Sequence, residues 1–220
     1  MLNNDATVVY YTSNKEDEQF ESKIRAKLLT TIGDMPLISV SQKPLPGFGI
    51  NICVGEKPHC DATAFRQLLM GLNEVKTKFA IAAESDTLYP PNYFTFTPPT
   101  DNNVYRYSNV WLLYKEVGYN SKGKYWNHRF MEGAQMCGRD YWIQKLEEAL
   151  KNIDGWQQIK PPVVFSTLDT YSWGSGIPVV TCKTREGLRR YANAKFTSES
   201  IDVLPYWGRA DAIRKELFDI

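Results

Sequence analysis

No run of about 18 apolar residues occurs anywhere in the 220-residue chain, so no membrane-spanning helix is expected. Charge of one sign is lacking too. Lys and Arg total 26 against 25 Asp and Glu, and a net charge of +1 excludes the global field of a dedicated nucleic-acid binder. Cysteine is scarce: Cys53, Cys60, Cys137 and Cys182 form no C-x-x-C pair, and free thiols in an intracellular chain are the simpler expectation. Cys53, His59 and Cys60 fit no zinc spacing, and no histidine follows His128. The opening MLNNDATVVYYT has neither a basic n-region nor an apolar h-region, so no signal peptide is expected and the chain reads as cytoplasmic. No G-x-G-x-x-G follows the first strand, which argues against a dehydrogenase, and no G-x-x-x-x-G-K-[ST] occurs.

What is present is a chain rich enough in apolar residues, at 43%, to bury a full core. It opens as a βαβ unit. Thr7–Tyr11 is strand-like, and Phe20, Ile24 and Leu28 recur at helical spacing. Ser13 or Asn14 is placed to cap that helix, Gly33 to end it, and Pro36–Val40 returns as a strand. Residues 41–60, with Pro44, Pro46, Gly47, Gly49, Gly55 and Pro58, read as a long loop. A second helix is expected over 62–76, capped by Asp61, with Arg66 off its apolar stripe. Further strands are expected at 109–114, 134–137 and 177–182, and helices at 139–151, 186–194 and 210–218. Residues 115–129 read as a basic, mobile loop. The pattern is that of one α/β domain.

The most informative stretch is Phe79–Asp86. An uncharged run, FAIAA, fits a strand covered on both faces, and it ends in two carboxylates at Glu84 and Asp86. Acids at the end of a buried strand are costly unless compensated, and a divalent cation is the obvious compensator. Ligands of α/β sheets sit outside the carboxyl ends of the strands, so a metal-bound phosphate is expected here.

The order of a βαβ start with a polar Thr12-Ser13-Asn14 tip, a helix carrying Arg66, and a strand ending in acid-x-acid resembles the GT-A fold of nucleotide-sugar glycosyltransferases. The wording YYTSN, ISVSQKP, AESD, YPP, EGAQ and LPYWG is similar to small glycosyltransferases of phage and viral metagenomes. The resemblance implies a single GT-A-like (Rossmann-related) α/β domain over residues 1–220, with a mixed central sheet flanked by helices. It implies an enzyme moving a sugar from a nucleotide-diphosphate sugar, in the first place a UDP-sugar, to a hydroxyl. Mn2+ or Mg2+ would be held by Asp86, with Glu84 reaching it directly or through water, or else holding the ribose. Thr12, Ser13, Asn14, Arg66 and Ser85 would hold the donor, and Gly133 and Ala134 would let the sugar approach. Glu132, Asp140 and Asp169 are the candidate bases, and Asp169 also stands in for a late histidine that the family often supplies as a metal ligand. Some such viral enzymes decorate hydroxymethylated pyrimidines, which brings in DNA as an acceptor. Basic residues at 115–145 and 183–195, interleaved with Tyr119, Tyr125, Trp126 and Trp173, would serve it by phosphate contact and base stacking. A glycan or protein acceptor, a nucleotidyltransferase and a non-catalytic nucleotide- or DNA-binding module remain as alternatives.

Overall fold

A computed structural model describes residues 2–116, 123–128, 131–158, 164, 170–174, 176–184, 186 and 199–220. Strand β1 (Ala6–Thr12) is buried along its whole length, as a strand covered on both faces must be. Helix α1 (Glu18–Ile32) follows, then β2 (Leu37–Ser41), β3 (Ile50–Cys53), α2 (Asp61–Glu74), β4 (Phe79–Glu84) and β5 (Thr87–Leu88). A 3-10 turn at Pro91–Phe94 leads to β6 (Val104–Tyr107), β7 (Val110–Tyr114), β8 (Tyr125–His128), β9 (Gln135–Gly138) and α3 (Arg139–Leu150). The remainder is β10 (Thr170–Trp173), β11 (Val179–Lys183), β12 (Ser200–Ile201), β13 (Val203–Leu204), β14 (Gly208–Arg209) and α4 (Ala210–Phe218).

The central sheet is mixed, in the order β10-β6-β9-β4-β1-β2-β3, with β9 antiparallel to both neighbours and the other pairs parallel. Alternation along β1 divides the core. Val8 and Tyr10 pack with Leu28 and Ile32 of α1, whereas Val9 and Tyr11 pack with Leu68 and Leu72 of α2 and Trp142 and Leu146 of α3. Helices therefore cover both faces. From β1 the chain builds β2 and β3 on one side, then crosses back to lay β4 on the other. In open α/β sheets a reversal of this kind is where ligands are held, here at the carboxyl ends of β1 and β4. A second sheet, β12-β8-β7-β11-β5, packs Trp111, Leu113, Val180 and Cys182 against Phe20 and Ile24 of α1 and Ile213, Leu217 and Phe218 of α4.

Several expected boundaries move. The cap of α1 is Asp17, whose side chain accepts from the Phe20 N–H at 3.0 Å; Ser13 and Asn14 are not the cap. Gly33 ends that helix at φ 54°, in the left-handed region where a side chain would be strained. Asp61 is the first residue of α2, and Cys60 takes the cap position. The 41–60 stretch is not all loop, because Ile50–Cys53 pairs with β2, and the basic 115–129 stretch contains β8. The helix expected over 186–194 lies outside the described residues from 187 onward. Among the described residues no helix is long and apolar enough to cross a membrane.

Candidate functional site

Backbone pairing of β4 with β9 stops at Ile81–Met136, three residues short of Glu84. Beyond that point two buried tyrosines take over. Tyr93 Oη donates to the Ala82 carbonyl at 2.9 Å, and Tyr89 Oη accepts from the Glu84 N–H at 2.9 Å while donating to the Gly133 carbonyl at 2.6 Å. The strands part where β4 ends, and the phenols keep the parted backbone groups satisfied.

Into this opening points the Glu84 side chain. Its Oε1 accepts from Tyr11 Oη at 2.7 Å, across the β1–β4 pair. Its other oxygen lies over Gly133, where a Cβ would stand 2.3 Å from Oε2. Gly133 is thus small because Glu84 fills the space beside it. Burial, then the neighbouring Asp86 carboxylate, pushes the Glu84 carboxyl up to about 7. Burial, then Glu84 itself, holds the Tyr11 hydroxyl protonated well above the usual phenol range, so it donates.

Asp86 is held differently. Its backbone carbonyl accepts from the Cys182 N–H at 2.7 Å, its Oδ1 accepts from Thr87 Oγ1 at 2.9 Å, and its Oδ2 faces Lys183 Nζ at 3.6 Å. Each acid of the pair thus keeps one oxygen anchored by a hydroxyl and one not committed to a short hydrogen bond. A third carboxyl stands near. Glu16, just before α1, accepts from Thr184 Oγ1 at 2.7 Å, and burial, with Asp86 adding, pushes it up to about 7. Tyr11, Glu16 and Thr184 were not expected at this site from sequence, and Lys183 was expected only within a basic stretch serving DNA. Their relevance comes from partners far along the chain, and local pattern carries no such signal.

The donor set suits a magnesium-like ion, which takes one or two carboxylates from protein and the rest from phosphates and water. Among the described residues no group of three or more His, Cys, Asp or Glu could hold a metal by itself. An ion at Glu84 and Asp86 would draw its remaining ligands from substrate, water or residues outside those described, Asp169 among them.

The other expected residues divide sharply. Thr12, Ser13 and Asn14 do lie at the carboxyl end of β1, but two of them have internal duties. Thr12 Oγ1 donates to Glu21 at 3.0 Å, and Asn14 Oδ1 accepts from the Gln42 and Lys43 N–H groups at 2.9 Å each, tying the tip to the segment after β2. Ser85 is half-buried between the two acids. Arg66 is not brought to the acids: its guanidinium donates to the Ile153 carbonyl, joining α2 to the end of α3. Ala134 is fully buried in the core and offers no surface to a sugar. Glu132 is exposed, and its carboxylate takes Arg106 Nη2 at 3.3 Å and the Gln135 amide.

Asp140 is misplaced for catalysis. It lies in the first turn of α3, just past Gly138, which pairs with Phe79 at the opposite end of β4. At about 3.3 Å per residue that end is roughly 16 Å from Glu84, and Asp140 pairs there with Arg139. A cavity of about 700 Å³ opens at this far end, lined by Lys76, Lys78, Asp101, Arg139 and Asp140 among others. Asp169 lies outside the described residues.

The surface expected to meet DNA is also corrected. Tyr125, Trp126 and Trp173 are buried, and Trp173 stacks on Tyr93 and Phe96 in an aromatic core. These rings serve packing and cannot receive a base. Lys124 pairs with Asp202, Lys145 with Glu148 and Lys183 with Asp86. Tyr119, Lys122, Arg129, Arg185, Arg189, Arg190 and Lys195 lie outside the described residues.

No protein-family model and no curated protein matches the chain. Solved structures are similar at low identity. The inositol-1-phosphate CTP transferase from T. maritima is 10% identical, with 98% of each chain covered and a TM-score of 0.48. A glycosyltransferase involved in glycosylation of the major capsid of PBCV-1 is 12% identical, covering 82% of this chain and 95% of that one, with a TM-score of 0.47. The glycosyltransferase GlyE of Streptococcus pneumoniae TIGR4 is 13% identical with a TM-score of 0.44; 78% of this chain is covered, and it spans 45% of GlyE. Similarity at this level leaves activity to be argued from the residues themselves.

Proposed function

We propose that the chain is a GT-A-type glycosyltransferase that moves a sugar from a nucleoside-diphosphate sugar, most simply a UDP-sugar, to a hydroxyl acceptor. The observation that carries this reading is the pair Glu84 and Asp86 at the carboxyl end of β4. The pair sits beside the strand-order reversal, each acid with one oxygen anchored by a hydroxyl and the other making no short hydrogen bond among the described residues. Mn2+ or Mg2+ held there would act as a Lewis acid on the diphosphate leaving group. The chain's own residues do the rest. Tyr11 fixes the Glu84 rotamer, Thr87 fixes Asp86, and Gly133 leaves the carboxyl its space. Glu132, exposed and oriented by Arg106 and Gln135, is the described candidate to accept the acceptor's proton. Asp169 stays a second candidate for that proton.

Calorimetric titration with UDP and Mn2+ tests the reading. Binding should require the metal, and Asp86→Ala should weaken it at least about tenfold, a change of 1.4 kcal/mol or more. Absence of binding by UDP and by every other nucleoside diphosphate overturns it. Incubation with UDP-sugars and a panel of hydroxyl acceptors, hydroxymethylated DNA among them, then identifies the substrate by release of UDP.

A further inference from the structure

We infer that Lys183 is a donor-binding residue: its ammonium holds Asp86 while the site is empty and passes to a phosphate oxygen of the nucleoside diphosphate when a divalent cation takes Asp86. This rests on the reading above. The placement is set by backbone. Lys183 is the last residue of β11, and the amide of the preceding Cys182 donates to the Asp86 carbonyl at 2.7 Å, so the two side chains leave from fixed neighbouring points. The contact between them is loose. Lys183 Nζ stands 3.6 Å from Asp86 Oδ2, a charge pair longer than a hydrogen bond, and its short contact is a donation to Thr181 Oγ1 at 3.1 Å.

Oδ2 is the Asp86 oxygen left after Thr87 takes Oδ1, so the ammonium faces the position a metal ion would use. An ammonium and a divalent cation repel when they share one oxygen. On metal binding Lys183 must turn away, and its flexible four-carbon stem permits this. The anionic group the reaction brings to the same spot is the diphosphate, and lysine binds phosphate as a point charge. Lys183 thus supplies positive charge to a site where, among the described residues, the carboxyls of Glu16 and Glu84 also stand near Asp86.

Lys183→Met keeps the stem and removes the charge. By calorimetry, Mn2+ alone should bind this variant about threefold or more tightly than wild type, since a competing cation is gone. UDP at saturating Mn2+ should bind at least about tenfold more weakly. Lys183→Arg should retain most of the UDP affinity. Opposite movement of the two affinities is something that a purely structural ion pair does not produce. Wild-type binding of UDP with unchanged affinity in Lys183→Met overturns this inference alone, as does an equal loss in Lys183→Arg. Wild-type protein that takes up no nucleoside diphosphate overturns the glycosyltransferase reading and this one with it.

Discussion

At Gly133 the missing side chain is occupied by another residue's carboxyl. A Cβ there would stand 2.2 Å from Glu84 Cδ and 2.3 Å from Oε2. Those atoms are the far end of a flexible side chain, so Gly133→Ala is relieved by swinging Glu84 away and not by moving backbone. The expected outcome is a folded protein that has lost its site. Thermal unfolding should shift by only a few degrees, corresponding to about 1 kcal/mol for the broken Tyr11–Glu84 bond. Metal-dependent UDP affinity should fall at least about tenfold. A large loss of stability with affinity intact would reverse this account of the glycine. The acids themselves were legible in the sequence, because a buried strand that ends in two carboxylates has few physical explanations. Their partners were not. Tyr11 looks like an ordinary strand residue and Lys183 like a surface lysine until the sheets bring them to the acids.

Among the elements, α1 carries an unusual burden. Its one fully buried acid, Glu21, takes the hydroxyl of Thr12 at 3.0 Å and Arg25 Nη1 at 3.2 Å. Burial dominates over these donors and pushes the carboxyl from 4.5 up to about 7. The folded pKa lies above the unfolded one, so the unfolded chain gives up its proton first as pH rises. Stability is fully present below about pH 4.5, falls between there and about 7, and then levels off. Glu21→Gln should flatten that fall by up to about 3 kcal/mol, read by urea unfolding at pH 5 and pH 8. Equal pH dependence in variant and wild type would rule the role out. The elements legible from pattern are β1, α1, β2, α2, β4, β7, β9, α3, β11 and α4. β3, β8 and β10 were not. Each is four residues long, and only its neighbour makes it a strand. Asn14 misled for a related reason, since its bonds to the Gln42 and Lys43 N–H groups claim the side chain that would otherwise cap a helix.

On the scale of the whole molecule, the two sheets meet at the candidate site. Glu84 ends β4 in the first sheet, Thr87 begins β5 in the second, and only Ser85 and Asp86 lie between them. Helix α1 is shared, with Leu28 and Ile32 on one sheet and Phe20 and Ile24 on the other. A ligand gripped by Glu84 from one sheet and by Lys183 from the other should stiffen that junction. At a UDP concentration of 100 times Kd with Mn2+, mass action adds about 2.7 kcal/mol, a rise in Tm of roughly 5–10 °C for a protein of this length. Hydrogen exchange should locate the effect. The Cys182 amide, bonded to the Asp86 carbonyl, and the β5–β11 pair should gain protection. Lys76–Lys78 and Asp101, around the cavity at the other end of β4, should not. Protection concentrated at that far cavity would move the ligand away from the carboxylate pair, and the assignment of the strand end as the donor site would fall.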